Sequence, residues 1–312
     1  MCHRQLLILS GYLEFVAAKK LIVIVGPTAV GKTALAIRLA QHCATEIISA
    51  DSRQIYRELE IGTAKPSAEE LNLVPHHFIN SHSLHQAYDA GAYGQDALTL
   101  INSLFEKYDT LILCGGSGLY VRAVLEGFDA MPPVPEGLRE QINKEYEANG
   151  LSWLQAQVKQ ADPSYFEVVD IQNPHRLIRA LELHRASQKP VHELRRQKKL
   201  EHPFQVVKVG LELAREELYT RIDTRMDTML AAGLFAEAEK FYPLRDLNAL
   251  QTVGYREIFG FMDGLYDKAE AIRLLKQNSR HYAKRQLTWF KKDTNTKWFS
   301  ANSYNEIFAH LK

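Results

Sequence analysis

The sequence predicts an α/β protein: a parallel sheet flanked by helices, interrupted by an all-helical insertion and followed by a helical C-terminal part. Three observations carry this. Short, fully apolar, β-branched runs alternate with helical patterns over the first 127 residues. The first run ends in a glycine-rich loop that opens a helix. The alternation then stops at the proline-rich Met131–Pro135, and only helical patterns follow to about Leu200.

The elements follow in order. Residues 5–17 are partly apolar but broken by Glu14, with no small-residue cleavage site after them. They read as an N-terminal extension over 1–19, an appended helix or extra residues ahead of a domain starting near Lys20. Leu21–Val25 is a buried parallel strand. A helix runs from Lys32 to about Cys43, and Glu46–Ala50 is the next strand. Phe78–Ile79 is expected in another strand. Asp89 caps a helix over 90–107. Thr110–Cys114 is a strand broken by Gly115-Gly116, and a helix follows from Leu119. The insertion spans 128–200. A strand-like run returns at Phe204–Leu213, so the core comprises 20–127 and 201–312. The chain closes with an amphipathic stretch over 268–292 and a short Trp298–Phe299 segment.

Composition narrows the class. Of 312 residues, 46% are apolar and 24% charged, which excludes a disordered or fibrous chain. No apolar run approaches the roughly 20 residues that span a bilayer, so no membrane is expected. Cys2, Cys43 and Cys114 form no CxxC pair, which argues against a disulfide framework or a cysteine-rich zinc site and for a reducing, cytoplasmic setting. The formal net charge is +1, but Ala271 to Lys297 holds eight Lys/Arg against one acid, Asp293, and a second basic group covers Lys189 to Lys199. Such clusters point to a local anionic partner or to solvated helix faces.

Gly26-Pro27-Thr28-Ala29-Val30-Gly31-Lys32-Thr33 matches GxxxxGK[ST] between a strand and a helix, the P-loop pattern. Its backbone N–H groups would converge on phosphate oxygens at a helix N-terminus. Lys32 would neutralise phosphate and the Thr33 hydroxyl would ligate Mg²⁺. A nucleotide-hydrolysing enzyme usually carries an acid at the end of an apolar strand, and TLILC ends instead in Gly115-Gly116-Ser117-Gly118. Those glycines fit a second close backbone approach to a ligand or a tight turn. Asp51, after its strand, falls on the ligand edge of an open α/β sheet. It is a candidate general base or metal ligand, or a turn Asp beside Ser52.

Further blocks make the pattern specific. Asp51-Ser-Arg-Gln-Ile-Tyr56, Ile61-Gly-Thr-Ala-Lys-Pro66, Gly115-Gly-Ser-Gly-Leu-Tyr120 and Asn173-Pro-His-Arg-Leu-Ile-Arg-Ala-Leu-Glu182 occur in order. Arg221-Ile-Asp-Thr-Arg225 with Met229 and Gly233, Val253-Gly-Tyr-Arg-Glu257, and Lys284-Arg-Gln-Leu-Thr-Trp-Phe290 follow. With GPTAVGKT, this resembles the tRNA dimethylallyltransferases, over nearly the whole chain beyond residue 20. Ser117 stands where the family usually has Thr, and Tyr93 where Phe is common. No zinc-finger ligands follow residue 300, as in the bacterial form.

The resemblance implies transfer of a dimethylallyl group from dimethylallyl diphosphate to N6 of adenosine 37, beside the anticodon of a tRNA, with release of diphosphate. It makes Asp51 the general base, with Lys32, Thr33 and Arg225 also catalytic. It assigns diphosphate binding to the loop from Gly26 to Thr33, to Ser117, and to Arg225 with Arg221 assisting. Contact with the tRNA anticodon stem-loop would come from Asp51, Ser52, Arg53 and Gln54, the last pairing bidentately with an adenine edge. It would also come from the insertion, through His175, Arg176, Leu177, Ile178 and Arg179. Thr252, Gly254, Tyr255 and Arg256 match a further contact segment. In the C-terminal stretch Arg280, Lys284, Arg285, Gln286, Trp289 and Lys291 complete the set, Trp289 and Tyr255 being either RNA-stacking or core residues. Mg²⁺ is the expected cofactor and a monomer the expected state. An adenylate isopentenyltransferase is the nearest alternative, but a small nucleotide needs neither the insertion nor the basic stripe. A small-molecule P-loop kinase and a non-enzymatic RNA-binding switch are the others.

Overall fold

Leu21 to Val25 are each at most 3% exposed in a computed structural model of the chain. The model describes residues 5–9, 12–16, 19–129, 131–195 and 200–311. Burying an aliphatic side chain contributes about 1.5–3 kcal/mol, against roughly 1–2 kcal/mol per residue for ordering the backbone. A strand buried on both faces therefore organises its surroundings. Leu21, Val23 and Val25 pack into one core cluster, and Ile22 and Ile24 into a second on the opposite face.

The chain divides into two units, 1–125 with 201–312, and 126–200. In the first unit β1 (Gln5–Leu9) and β2 (Tyr12–Val16) form an antiparallel pair. The helix expected over 5–17 is therefore replaced by strands: each apolar run is five residues long, too short for a stable helix, and the Ser10-Gly11 dipeptide separates them. Next come β3 (Lys20–Val25), α1 (Lys32–Cys43), β4 (Ile47–Ser49), α2 (Ala68–Leu73), β5 (His76–His77), α3 (Ala90–Leu104), β6 (Thr110–Gly115) and α4 (Gly118–Glu126). The strand expected at Phe78–Ile79 lies two residues earlier. Phe78 has a positive φ of 61°, which ends the pairing and turns its ring against Tyr93. Helix α3 ends at Leu104, three residues short of the expected 107.

The second unit carries α5 (Leu138–Ala161), broken at Gly150, then α6 (Pro163–Val168), α7 (Pro174–Ser187) and α8 (Val191–Leu194). Its core is its own, built on Ile142, Leu154, Val158, Leu177, Leu181 and Val191. Arg196 to Lys199, most of the expected second basic group, lie outside the described residues.

Back in the first unit, β7 (Gln205–Glu212) is followed by α9 (Arg215–Ala231), α10 (Leu234–Phe241), α11 (Arg256–Met262), α12 (Lys268–Phe290), β8 (Lys297–Ser300) and α13 (Tyr304–Leu311). The main sheet has six parallel strands in the order β5-β4-β6-β3-β7-β8. Parallel order places every strand's C-terminal end on one edge, where ligands bind in open α/β sheets. Among the described residues no helix is long and apolar enough to cross a membrane.

Two glycines let that edge close up. Gly26 has φ +151°, and a Cβ there would stand 2.7 Å from the Leu211 carbonyl oxygen on β7. A Cβ on Gly115 would stand 2.1 Å from the Ala50 carbonyl oxygen, where β4 and β6 converge. Both neighbours are backbone and cannot rotate away. Gly115→Ala should therefore destabilise the fold by about 1–3 kcal/mol, the usual cost of overpacking. Denaturant and thermal melts will check this, and a change below about 0.5 kcal/mol would mean that the edge is more pliant than its geometry indicates.

Candidate active site

Along the C-terminal edge of the sheet lies a cavity of about 360 Å³. Its lining includes Thr28, Ala29, Gly31, Lys32 and Thr33 of the loop after β3, Asp51, Arg53 and Gln54 after β4, and Cys114–Gly116 at the end of β6. Arg225, Met226, Met229, Leu234 and Tyr282 line it from the helices that follow β7, and Val253 from the turn before α11. Cations and glycines thus share one space with a carboxylate and an apolar wall.

The loop between β3 and α1 is wound by residues in left-handed conformations, Ala29 at φ 65° and Gly31 at φ 105°. Lys32 turns back and donates to the Pro27 carbonyl at 2.8 Å. Burial lowers the Lys32 pKa to about 8, with Arg225 adding repulsion and Cys114 and Asp51 partly opposing the shift. The Arg225 guanidinium is largely buried and donates to the Thr28 hydroxyl. Arg221 stands at the rim, its Nη1 4.0 Å from where a Gly31 Cβ would be, and is ion-paired with Glu217 at 2.8 Å.

Asp51 is fixed by its own turn. Its Oδ1 accepts the N–H groups of Arg53 at 2.9 Å and Gln54 at 3.3 Å. That arrangement leaves Oδ2 for the cavity. The turn is braced from β6: the Ser117 hydroxyl accepts the Ser52 N–H at 2.9 Å and lies 3.1 Å from the Ser52 hydroxyl. Ser117, expected as a diphosphate ligand, is not among the residues lining the cavity. It holds the Asp51 turn instead, because its hydroxyl faces β4 across the strand ends. Tyr93, where Phe is common in the family, uses its buried hydroxyl on the Ser49 carbonyl at 2.8 Å, at the end of β4 two residues before Asp51.

Other residues expected at the RNA have partners within the protein, and Tyr255 and Trp289 take the core alternative left open for them. Gln54 donates its amide to the Thr63 and Ala64 carbonyls at 3.2 and 2.9 Å, so it cannot also donate to an adenine edge. Gln286 is 7% exposed; its Oε1 accepts the Thr28 N–H at 2.8 Å and its Nε2 donates to the Gly116 carbonyl at 2.9 Å. Tyr255 is fully buried and donates to Glu237 at 2.6 Å. Trp289 packs onto the Gly118 backbone, its Nε1 2.2 Å from where a Cβ would sit. Leu177 and Ile178 belong to the core of the helical unit. Gln286, Trp289, Leu177 and Ile178 sit on helices and turn inward, whereas Gln54 and Tyr255 are held in turns. Arg280 and Lys291 face outward but are paired, with Asp223 and Glu212 respectively, each at 2.7 Å. Exposed, and without an ion pair among the described residues, are His175, Arg176, Arg256, Lys284 and Arg285. Thr252 and Gly254 line the cavity. Arg179 is half-buried and ion-paired with Glu182.

Sequence reasoning missed two residues. Glu237, buried on α10, accepts the N–H groups of Glu60, Ile61 and Gly62 at 3.1, 2.8 and 2.9 Å as well as the Tyr255 hydroxyl. It therefore fixes the Ile61–Pro66 segment that borders the cavity. A lone Glu in an amphipathic helix gives no sequence signal for this. Tyr282 lines the cavity; burial, with Asp51 next, pushes its pKa up to about 12. Its spacing of four from Gln286 was the available sign.

Among the described residues no cluster of three or more His, Cys, Asp or Glu could cage a metal. The cavity offers the Thr33 hydroxyl and the Asp51 carboxylate, oxygen donors of the kind Mg²⁺ takes while keeping water and phosphate ligands. That donor set fits Mg²⁺ and suits no softer metal.

The sheet, the glycine-rich loop and the buried lysine define an α/β protein built to receive an anion at its strand ends. The IPP transferase family model matches residues 54–293. This chain belongs to the IPP transferase family. It is 52% identical to a tRNA dimethylallyltransferase of Cytophaga hutchinsonii over 94% of this chain and 97% of that protein, and 48% identical to one of Flavobacterium johnsoniae over 94% and 97%. Its structure is similar to the full-length tRNA isopentenylpyrophosphate transferase of Bacillus halodurans, with a TM-score of 0.69 and 36% identity over 94% and 95% of the two chains. A eukaryotic dimethylallyltransferase acting on tRNA gives a TM-score of 0.72 at 25% identity, over 93% of this chain and 75% of that one.

Lys32 gives the site a pH signature. An anion in the cavity favours the charged ammonium, so binding raises the Lys32 pKa and takes up a proton above pH about 8. Diphosphate affinity should be flat below that pH and fall by up to about tenfold per unit above it. Titration calorimetry across pH 6.5–9.5, taken as an approximate working range around that pKa, will read it. In Lys32→Met affinity should be low and this step absent; a step that persists would assign it to another group.

Proposed function

We propose that this chain transfers a dimethylallyl group from dimethylallyl diphosphate to N6 of adenosine 37 in the anticodon stem-loop of a tRNA, releasing diphosphate. The observation that carries this reading is that one cavity joins a cationic glycine loop to an Asp51 oxygen free of intramolecular donors. The match covers 94% of this chain and 97% of the relatives, and those relatives are named tRNA dimethylallyltransferase.

The physical problem is a weak nucleophile, an exocyclic adenine amine whose lone pair is delocalised into the ring. Asp51 accepts the N6 proton at Oδ2 as the new C–N bond forms, while the two N–H donors on Oδ1 keep the carboxylate in place. At the other end the C–O bond to diphosphate breaks and negative charge grows on the leaving oxygens. Lys32, Arg225 and the backbone amides of the glycine loop stabilise it, both cations being largely buried. Thr33 would hold Mg²⁺, which would supply further positive charge to the diphosphate. Met226, Met229, Leu234 and Val253 offer the apolar surface that a five-carbon chain requires. The target base leaves its stack to reach this depth, as in other enzymes that work on a base. Arg53, exposed cations at Arg256, Lys284 and Arg285, and His175 and Arg176 of the helical unit are the RNA-facing groups in this reading. The enzyme acts as a monomer in the cytoplasm, where its RNA substrate resides.

The activity test mixes the protein with dimethylallyl diphosphate, Mg²⁺ and unmodified tRNA and looks for N6-dimethylallyl-adenosine by mass after digestion. Prenylation of AMP as efficiently as tRNA would favour the adenylate isopentenyltransferase reading, and tRNA-stimulated ATP hydrolysis would favour a kinase or switch. Asp51→Asn should keep tRNA affinity and slow single-turnover transfer by about 10²–10⁴-fold; a rate within about threefold of the unaltered enzyme would remove Asp51 as the base.

Lys284 and Arg285 have no ion-pair partner among the described residues, so the double change to Gln should flatten the log–log salt dependence of tRNA binding by about one to two units. Binding of dimethylallyl diphosphate should hardly move. An unchanged slope would reduce these residues to a solvated helix face.

A further inference from the structure

Glu182 is 3% exposed in the core of the helical unit, yet it carries two guanidiniums. Arg139 on α5 donates through Nε and Nη2 at 3.0 and 3.1 Å, one bond to each carboxylate oxygen. Arg179 on α7 donates to Oε2 at 2.6 Å. These bonds hold the Glu182 carboxyl below the usual range despite its burial.

One arginine would have neutralised the buried charge. The second leaves the group at net +1 and turns the excess outward: the side chains of Arg139 and Arg179 are 53% and 40% exposed. A guanidinium has five N–H donors, of which Arg139 uses two on Glu182 and Arg179 one. The free donors face solvent. Arg176, exposed, lies three residues before Arg179 on the same helix face, with His175 beside it. The same two helices hold another pair, Arg185 with Glu145 at 2.8 Å, that is matched one to one and has no excess charge. The positive charge therefore gathers at one end of the α5–α7 contact.

We infer that Arg139 and Arg179 form a two-pronged phosphate clamp for the RNA substrate, and that Glu182 is the positioning residue that sets their spacing. This rests on the tRNA reading above, and adds Arg139 and Glu182 to the RNA-recognising groups. Arginine in a fixed fork suits phosphate oxygens better than a mobile lysine. A rigid base of buried carboxylate lowers the entropy lost when the two prongs bind.

The experiment measures binding of unmodified tRNA against salt concentration in the full chain. Arg139→Gln should weaken binding and reduce the log–log slope by about one unit, the release expected for one phosphate contact. Arg139→Lys should keep the slope, since the charge stays, while affinity recovers only in part. Glu182→Gln should raise the KM for tRNA severalfold and leave the KM for dimethylallyl diphosphate within twofold. Arg185→Gln is the control, because it breaks an α5–α7 ion pair without touching the clamp, and it should leave the slope unchanged. If Arg139→Gln and Arg139→Lys both keep the original affinity and slope, or if Arg185→Gln flattens the slope as much as Arg139→Gln does, the clamp is refuted and the cluster only braces two helices. Should the unaltered chain show neither salt-dependent tRNA binding nor prenyl transfer, the tRNA reading itself fails first.

Discussion

The amide of Gln286 holds the catalytic edge together. From the buried face of α12 it receives the Thr28 N–H of one glycine loop and gives its own N–H to Gly116 of the other. Both loops end strands whose registers are set by the sheet, but their tips are joined by this one side chain. A buried amide with both ends satisfied is rigid, whereas one left half-paired would cost about 1–3 kcal/mol. Lys32, Thr28 and Arg225 all depend on where that loop sits, since Arg225 reaches it through the Thr28 hydroxyl.

A second brace works from the opposite side of the cavity. Glu237 gathers three backbone N–H groups and a tyrosine hydroxyl, making a buried carboxylate tolerable through four donors. It anchors the segment whose carbonyls in turn hold Gln54. The chain thus uses its buried polar side chains to fix backbone, and leaves few side chains free at the site. Those few are the ones with chemistry to do: one oxygen of Asp51, and the cations facing the cavity.

Charge obeys the same economy on the surface. Net charge is +1, and much of the basic stripe on α12 is cancelled by acids on α9, with Lys276 on Asp227 and Arg280 on Asp223. Cations left over include Lys284 and Arg285 on α12, Arg256 on α11, and Arg176 with the outward prongs around Glu182. Local excess on a neutral protein recognises a polyanion at chosen points without attracting it everywhere.

The sequence by itself determined the sheet, the glycine loop, the helical insertion and the position of Asp51 at a strand end. Those features are local, written in hydrophobic period and in backbone-permissive glycines. It also determined the family, because ordered blocks of residues are legible without coordinates. Only the tertiary structure decided what each conserved-looking polar group does. Ser117, Gln286, Gln54 and Tyr255 all suggested ligand contact, and each instead holds backbone or carboxylate within the protein. Arg280 and Lys291 suggested phosphate contact and found acids on neighbouring elements. The physical reason is that hydrogen-bond partners and ion pairs are chosen across long sequence separations, 170 residues for Gln286 and Gly116. A side chain's chemistry is fixed by its type, while the partner that uses it is fixed by packing.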